Sequence, residues 1–286
     1  MSDRVCVMTG ATSGIGLAAA QGLARQGVGL VLVGRDERRG AAALAAVRAA
    51  APGAEVSIRY ADLLSLAEIR RLAAGLLADC PRIDILVNNA GAFFDAHALT
   101  VDGLERTFAL NHMSYFLLTY LLLDRLREAP QGRIVSVASA AHRGAALDFD
   151  DLPGRRGAKG WAAYGRSKLA NILFTAELAR RLAGSRATAD CLHPGFVASR
   201  FGEPGNGPLM RTLIGVAKRL AAITPEAGAR TILHLATAPE VAGVSGAYFV
   251  KNRAVQPSPA ARDPQAARRL WQESLRLAGL SDEAAA

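Results

Sequence analysis

The sequence predicts a doubly wound α/β fold, a single domain with a seven-stranded parallel sheet and helices on both faces. Three observations point to it. Short apolar segments alternate with Ala-rich helical stretches along the chain, which is the pattern of successive βαβ units. A glycine-rich turn, Thr9-Gly10-Ala11-Thr12-Ser13-Gly14-Ile15-Gly16, directly follows the first apolar segment and opens the first helix. No Pro/Gly/Ser-rich linker divides the 286 residues. They therefore read as one domain, 1–286, with a cofactor half of about 1–130 and a catalytic and substrate half of about 131–286.

Strands are expected near 4–9, 29–34, 55–60, 84–88, 133–137, 187–192 and 246–250. Helices are expected near 14–26, 36–50, 65–79, 102–127, 161–184, 225–238 and 264–278. Two connections are longer than such folds usually need, Ser139 to Gly160 and the stretch from His193 to about Pro208. Long loops at the carboxyl ends of strands are where these folds place their ligands.

Composition narrows the class of function. A hydrophobic fraction of 51% and a charged fraction of 21% describe a folded globular chain. The greasiest run, Phe116 to Leu123, ends at Asp124 and Arg125, short of the roughly 18 to 20 residues that span a bilayer. The first strand begins too close to Met1 for a signal peptide, so a cytoplasmic protein is expected. The net charge of +9 suggests a general preference for anions. Its scattered basic residues and 6% aromatic content argue against nucleic acid as a partner. Cys6, Cys80 and Cys191 match neither disulfide nor zinc-ligand spacing and read as buried free thiols.

The strand ends carry the chemistry. In the first turn, Gly10, Ser13, Gly14, Ile15 and Gly16 let backbone approach a pyrophosphate, with the helix N-terminus facing its charge. The spacing is G-x-x-x-G-x-G and lacks the lysine of a P-loop. At the end of the second strand, Gly34-Arg35-Asp36 places a guanidinium where it can pair with a 2′-phosphate, favouring NADP over NAD. Asp36 could instead take a ribose diol or cap the next helix. Asp62-Leu63, after the third strand, could contact an adenine edge, or cap a helix near Ser65. Asn88-Asn89-Ala90-Gly91 closes the fourth strand where backbone could come close to a ligand, although a plain turn fits it equally well.

Tyr164 and Lys168 lie four apart on a helix and so share a face. A neighbouring cation favours a phenolate over its phenol, which would let the pair move protons near neutral pH.

Taken together, these motifs resemble the short-chain dehydrogenase/reductase family. The matching elements are Thr9 to Gly16, Asn88 to Gly91, Asn111, Ser139 in Val137-Ala138-Ser139, Tyr164 to Lys168, and His193-Pro194-Gly195. A finer similarity is to the retinol-dehydrogenase-like and WW-domain-oxidoreductase-like branch. It is carried by Phe149-Asp150-Asp151-Leu152, Ser167 to Phe174 and the tail Ala267 to Trp271. The resemblance implies a Rossmann-type fold and an NAD(P)-dependent enzyme. Tyr164 would then be the general acid in carbonyl reduction and the base in reverse. Ser139 would hold the substrate oxygen, and Lys168 would lower the Tyr164 pKa and bond the nicotinamide ribose. Asn111 would hold a water linking Lys168 to solvent. The cofactor would also meet Asn89, Ala90, Gly91, Pro194, Gly195 and Val197, and the loop from Ser199 to Arg219 would lid the substrate.

His112, His142 and His193 lack partners at metal-ligand spacing and read as structural. Asp148, Asp150 and Asp151 read as caps of the long loop rather than a metal box. Two departures bear on the pocket: the stretch from Ser139 to Tyr164 is longer than in many family members, and Met113-Ser114-Tyr115 stands where the branch usually has a Gly-His pair.

The expected function is an NADP-dependent reductase of an aldehyde or ketone, with Phe93, Phe94, Phe196 and Phe201 lining an apolar, lipophilic-substrate pocket. The alternatives are a C=C reductase of the same fold and a non-catalytic NADP-binding regulator. The resemblance also admits a homodimer or homotetramer through the helices of Asn111 and Tyr164.

Overall fold

A computed structural model describes residues 3–157, 160–195 and 223–281. Its sheet runs in the order β3-β2-β1-β4-β5-β6-β7-β8. The strands are β1 (Val5–Thr9), β2 (Gly29–Gly34), β3 (Val56–Tyr60), β4 (Ile85–Asn88), β5 (Arg133–Val137), β6 (Thr188–His193), β7 (Tyr248–Val250) and β8 (Arg253–Ala254). The first seven pair in parallel. The eighth was not expected: β8 turns back antiparallel on β7 through Lys251 and Asn252, both at positive φ. Two consecutive left-handed residues make the tight hairpin whose twist suits paired strands. Two residues are too short for a periodic signal.

Alternation within each strand builds two cores. Cys6 and Met8 of β1 and Leu30 and Leu32 of β2 face one side, while Val7, Val31 and Val33 face the other. The first side is covered by α1 (Gly14–Arg25), α2 (Glu37–Ala50) and α7 (Pro225–Thr237). The second is covered by α3 (Leu66–Asp79), α5 (Ser114–Glu128), α6 (Gly160–Arg181) and α8 (Pro264–Ala278). Both faces are buried, so the strands read as continuous apolar runs.

The last helix is locked by aromatic packing. Trp271 stacks on Phe174 at 6.0 Å and meets Phe116 edge-on at 5.0 Å, with the Arg181 guanidinium 4.5 Å from the indole centroid. α8 therefore lies over α5 and α6 in the same chain.

The helix expected near 102–127 is shorter and broken. Glu105 accepts from the N–H groups of Thr107 (2.7 Å) and Phe108 (2.9 Å), so helical structure starts at α4 (Arg106–Phe108). Asp102, placed inside the helix by the sequence pattern, accepts instead from Leu66 N–H at the start of α3. Between α4 and α5 the chain forms a π-turn, Ala109–Met113. Such turns insert a residue into a helix and commonly mark functional positions.

All connections after β1 to β6 open at one edge of the sheet, and the strand order reverses between β1 and β4. That reversal leaves a crevice where ligands bind in open α/β sheets. Two cavities of about 430 and 380 Å³ lie at the opposite, amino-terminal edge, lined by residues such as Val28 and Glu55 or Arg186 and Thr188. Among the described residues, no helix is long and apolar enough to cross a membrane.

Candidate active site

The glycine turn is built by backbone packed against backbone. Gly10 adopts φ +64°, and a Cβ there would lie 2.7 Å from the Ala90 Cα. A Cβ on Gly16 would lie 2.2 Å from the Gly10 carbonyl oxygen, so only glycine fits. Asn89 ties the β4 tip to the β1 tip, its amide donating to the carbonyls of Thr9 (3.0 Å) and Gly10 (3.1 Å). The Thr9 hydroxyl oxygen accepts from Asn89 N–H and Ala90 N–H in return, both at 3.0 Å. Thr9 thus joins the two strand tips, a part that glycine spacing does not reveal.

Ser13 is the N-cap of α1 but makes no side-chain capping bond, and Gly14 follows it at φ +54°. The first N–H groups of α1, including those of Ile15 and Gly16, therefore keep their capacity for an anion. α2 differs, because Asp36 accepts from Arg39 N–H at 2.8 Å. That bond, helped by the charges of Arg39, Arg38 and Arg35, holds the Asp36 carboxyl below its ordinary value. Arg35 reaches from the β2 tip to within 3.9 Å of Asp62. Asp62 also accepts from Leu64 N–H (3.1 Å), while Ser65 caps α3. The capping alternatives for Asp36 and for Ser65 thus hold, and Leu63 lies buried beside them.

The residues expected to handle protons come together at the ends of β4 and β5. Ser139 caps a short 3-10 turn, its Oγ accepting from Ala141 N–H at 3.2 Å, and it hydrogen-bonds to the Tyr164 phenol. Tyr164 is 7% exposed. Burial pushes its phenol up to about 12, with the Ser139 hydrogen bond opposing the shift. Lys168 donates from Nζ to the Val137 carbonyl at 2.8 Å and lies 5.7 Å from the Tyr164 ring centroid. Burial brings its ammonium down to about 7. The resemblance implies that Lys168 lowers the Tyr164 pKa. In this arrangement desolvation of both groups sets the direction instead.

Asn111 sits in the π-turn, fully buried. Its Nδ2 donates to Ala92 O and Ser167 Oγ, both at 3.0 Å, and its Oδ1 accepts from Ala92 N–H at 2.9 Å. The side chain thus makes the backbone bonds of a structural amide, and it clamps the Gly91 segment onto the helix. A Cβ on Gly91 would meet Asn111 Oδ1 at 3.2 Å and Lys168 Nζ at 3.6 Å. Gly91, Asn111 and Lys168 therefore converge on one small space.

His142 and His112 are structural bridges. His142 donates from Nδ1 to Ser139 O (2.6 Å) and accepts at Nε2 from Ser258 N–H (3.1 Å), holding the serine turn against the chain after β8. His112 links Asn171 (3.4 Å) and Ser274 (3.1 Å), with burial lowering its pKa to about 4. Burial likewise lowers His193. Asp151 accepts from Arg155 N–H and Arg156 N–H, and Asp148 accepts from Asp150 N–H, so both serve the long loop.

At the mouth, Phe93 lies edge-on to Tyr164 at 6.1 Å, and Trp161 lies 5.6 Å from it with 64% exposure. Trp161 was missed, although its i, i+3 spacing to Tyr164 was visible in the sequence. Phe94 does not join this wall and packs under Arg106 at 4.1 Å. Pro194 and Gly195 follow β6, with Gly195 at φ +91°. Val197, Phe196, Phe201 and the loop from Ser199 to Arg219 lie outside the described residues.

The sequence profile of the short chain dehydrogenases matches residues 4–206. Human retinol dehydrogenase 13 is 42% identical over 281 residues, covering 97% of this chain and 85% of its own length. A crystal structure of an uncharacterized protein from Mycobacterium paratuberculosis superposes with a TM-score of 0.78 at 34% identity, covering 98% of this chain and 95% of the other. The Pseudomonas aeruginosa RhlG/NADP active-site complex gives 0.68 at 29% identity, covering 87% and 94%.

Proposed function

This chain belongs to the short-chain dehydrogenases and is an oxidoreductase, and from that premise we propose that it reduces lipophilic aldehydes or ketones with NADPH, the site residues acting in the roles given below. The observation that carries the reading is the Ser139–Tyr164 hydrogen bond with Lys168 beside it. A bound nicotinamide supplies the hydride. Ser139 positions the carbonyl oxygen and stabilises the charge that develops on it. Tyr164 donates its phenolic proton to that oxygen, and in the reverse direction accepts the alcohol proton. Lys168 would hold hydroxyl groups of the cofactor, and its charge would favour the phenolate once the proton has left.

The residues present fit a dinucleotide. The open N-terminus of α1 suits a pyrophosphate, and Gly10 and Gly16 allow the backbone to approach it. Asn89, Ala90, Pro194 and Gly195 border the path from there to Tyr164, in the reading that joins the halves of about 1–130 and 131–286 in one domain. Support for NADP comes from the tip of β2. Arg35, Arg38 and Arg39 gather there around Asp36, which is already engaged as a helix cap, and Arg35 also reaches Asp62. A 2′-phosphate would find three guanidinium groups there to pair with. Support for a lipophilic substrate comes from Phe93 and the exposed indole of Trp161 beside Tyr164. The similarity to retinol dehydrogenases accords with it.

NADPH oxidation against aromatic, terpenoid and steroid carbonyls tests the substrate class. Tyr164→Phe is expected to lower kcat by about a thousandfold while cofactor affinity stays within about twofold. Unaltered turnover in that variant would defeat the mechanism.

A further inference from the structure

Tyr115 occupies a position where the sequence departs from the branch it resembles, and it stands beside Lys168. It follows Asn111 by four residues and so shares its face as the π-turn passes into α5. The side chain is fully buried. Lys168 Nζ lies 5.6 Å from the Tyr115 ring centroid and 5.7 Å from that of Tyr164, so the ammonium is close to two phenol rings. Both distances are within reach of a cation–π attraction.

Among the described residues, the Tyr115 hydroxyl has no hydrogen-bond partner. Burying a hydroxyl without a partner is unfavourable, and phenylalanine would fill the same volume without that penalty. A buried orphan in a native site calls for an explanation. Its surroundings offer one. The phenol is close enough to Tyr164 for the two to interact electrostatically, and Lys168 Nζ, which lies over the Tyr115 ring, also lines the space beside Gly91 and Asn111. Asn111 has spent both ends of its amide on Ala92 and Ser167. Lys168 has an ammonium with three donors and one carbonyl partner among its hydrogen bonds, Val137 O. Among the described residues, Tyr115 thus keeps a donor and an acceptor without a partner, on a rigid ring.

We propose that Tyr115 is a positioning residue for Lys168. Its ring face braces the ammonium, and its hydroxyl is the fixed hydrogen-bond post for a hydroxyl group that enters beside Lys168, either an ordered water or a ribose hydroxyl of the dinucleotide. No bond is made or broken at Tyr115. It sets where the Lys168 ammonium and its hydroxyl partner stand when Tyr164 gives up its proton. The kinetic consequence rests on the carbonyl-reductase reading, whereas the structural and binding consequences do not.

The direct test is a crystal structure of the protein with NADP. An oxygen is expected within about 3.2 Å of Tyr115 Oη, and its identity separates water from ribose. A complex in which Oη keeps no polar partner overturns the proposal. Two variants add readouts that mere packing would not produce. Tyr115→Phe is expected to melt at the same temperature as the parent or higher, yet to lose about tenfold in kcat with carbonyl KM within about twofold. Cofactor affinity falls with it if the partner is ribose and holds if the partner is water. Tyr115→Leu, which also removes the ring, is expected to lose about a hundredfold. Parental kcat and cofactor affinity in Tyr115→Phe would sink the idea, as would losses that only follow a lowered melting temperature. If the parent reduces no carbonyl, the substrate reading fails, and the crystal structure, melting and NADP titration still judge Tyr115.

Discussion

The turn after β1 and the pocket around Tyr164 stand side by side at the carboxyl edge of the sheet, and they are made of opposite materials. The turn is main chain: Gly10 and Gly16 in van der Waals contact with neighbouring backbone, an uncapped helix end, and a single asparagine that ties two strand tips. The pocket is side chain: Asn111, Ser139, Tyr164, Tyr115 and Lys168, drawn from the π-turn, the end of β5 and two helices, with the first and the last two almost wholly buried. The contrast teaches that the two regions should fail differently. Added atoms should damage the turn, and removed polar atoms should damage the pocket.

The most damaging change expected in the turn is Gly16→Ala. Its new Cβ would sit 2.2 Å from the Gly10 carbonyl oxygen, a contact that only a backbone shift relieves. A loss of about 3 kcal/mol in stability is expected, together with nucleotide affinity. Denaturant unfolding and NADPH titration measure both. Retained affinity with parental stability would break the contrast from the turn side.

The π-turn that supports the pocket carries a pH dependence instead. Burial holds His112 neutral, its pKa down from 6.5 to about 4. The unfolded chain takes up this proton from about pH 6.5 downward, so the His112 contribution is complete above that value and is lost as pH falls toward 4. The loss is up to about 3 kcal/mol. Unfolding midpoints at pH 7 and pH 4.5 should therefore lie further apart in the parent than in His112→Phe. Equal separations would show that the buried bridge between Asn171 and Ser274 does not resist protonation.

A smaller effect is expected at the β2 tip, where recognition by exposed side chains replaces both materials. Arg35→Ala should weaken NADPH by about tenfold and leave NADH nearly unchanged. Competitive titration of the two cofactors reads the ratio. The smallest effect is expected at the mouth: Trp161→Ala should raise KM for an aromatic or terpenoid carbonyl several-fold with kcat within about twofold. An unchanged KM would place the substrate elsewhere than against the exposed indole.

Legibility in the sequence follows the same division. The turn was readable because its requirements are local: glycine where φ is positive or Cβ has no room, an apolar strand before it and a helix after it. Tyr164 and Lys168 were readable for a similar reason, since four residues along a helix fix a shared face. Ser139 and Asn111 gained their roles through resemblance rather than spacing, because nothing local says that a strand end and a distant helix will meet. The break of the helix expected near 102–127 was not readable, since it depends on the Glu105 carboxylate folding back onto two backbone N–H groups and on Ala92 claiming the Asn111 amide.

By itself the sequence determined the alternation of strands and helices, the glycine turn at the first strand, the Tyr-Lys pair and the basic tip of β2. Each is a property of neighbours along the chain, governed by backbone sterics and periodicity. Only the tertiary structure decided that Asp36 is spent on capping α2, that Phe94 lies under Arg106 while Trp161 takes the mouth, and that Lys168 rests close to two phenol rings with burial as the force on its charge. Those outcomes depend on which groups are brought together out of water, and desolvation is a property of the assembled fold.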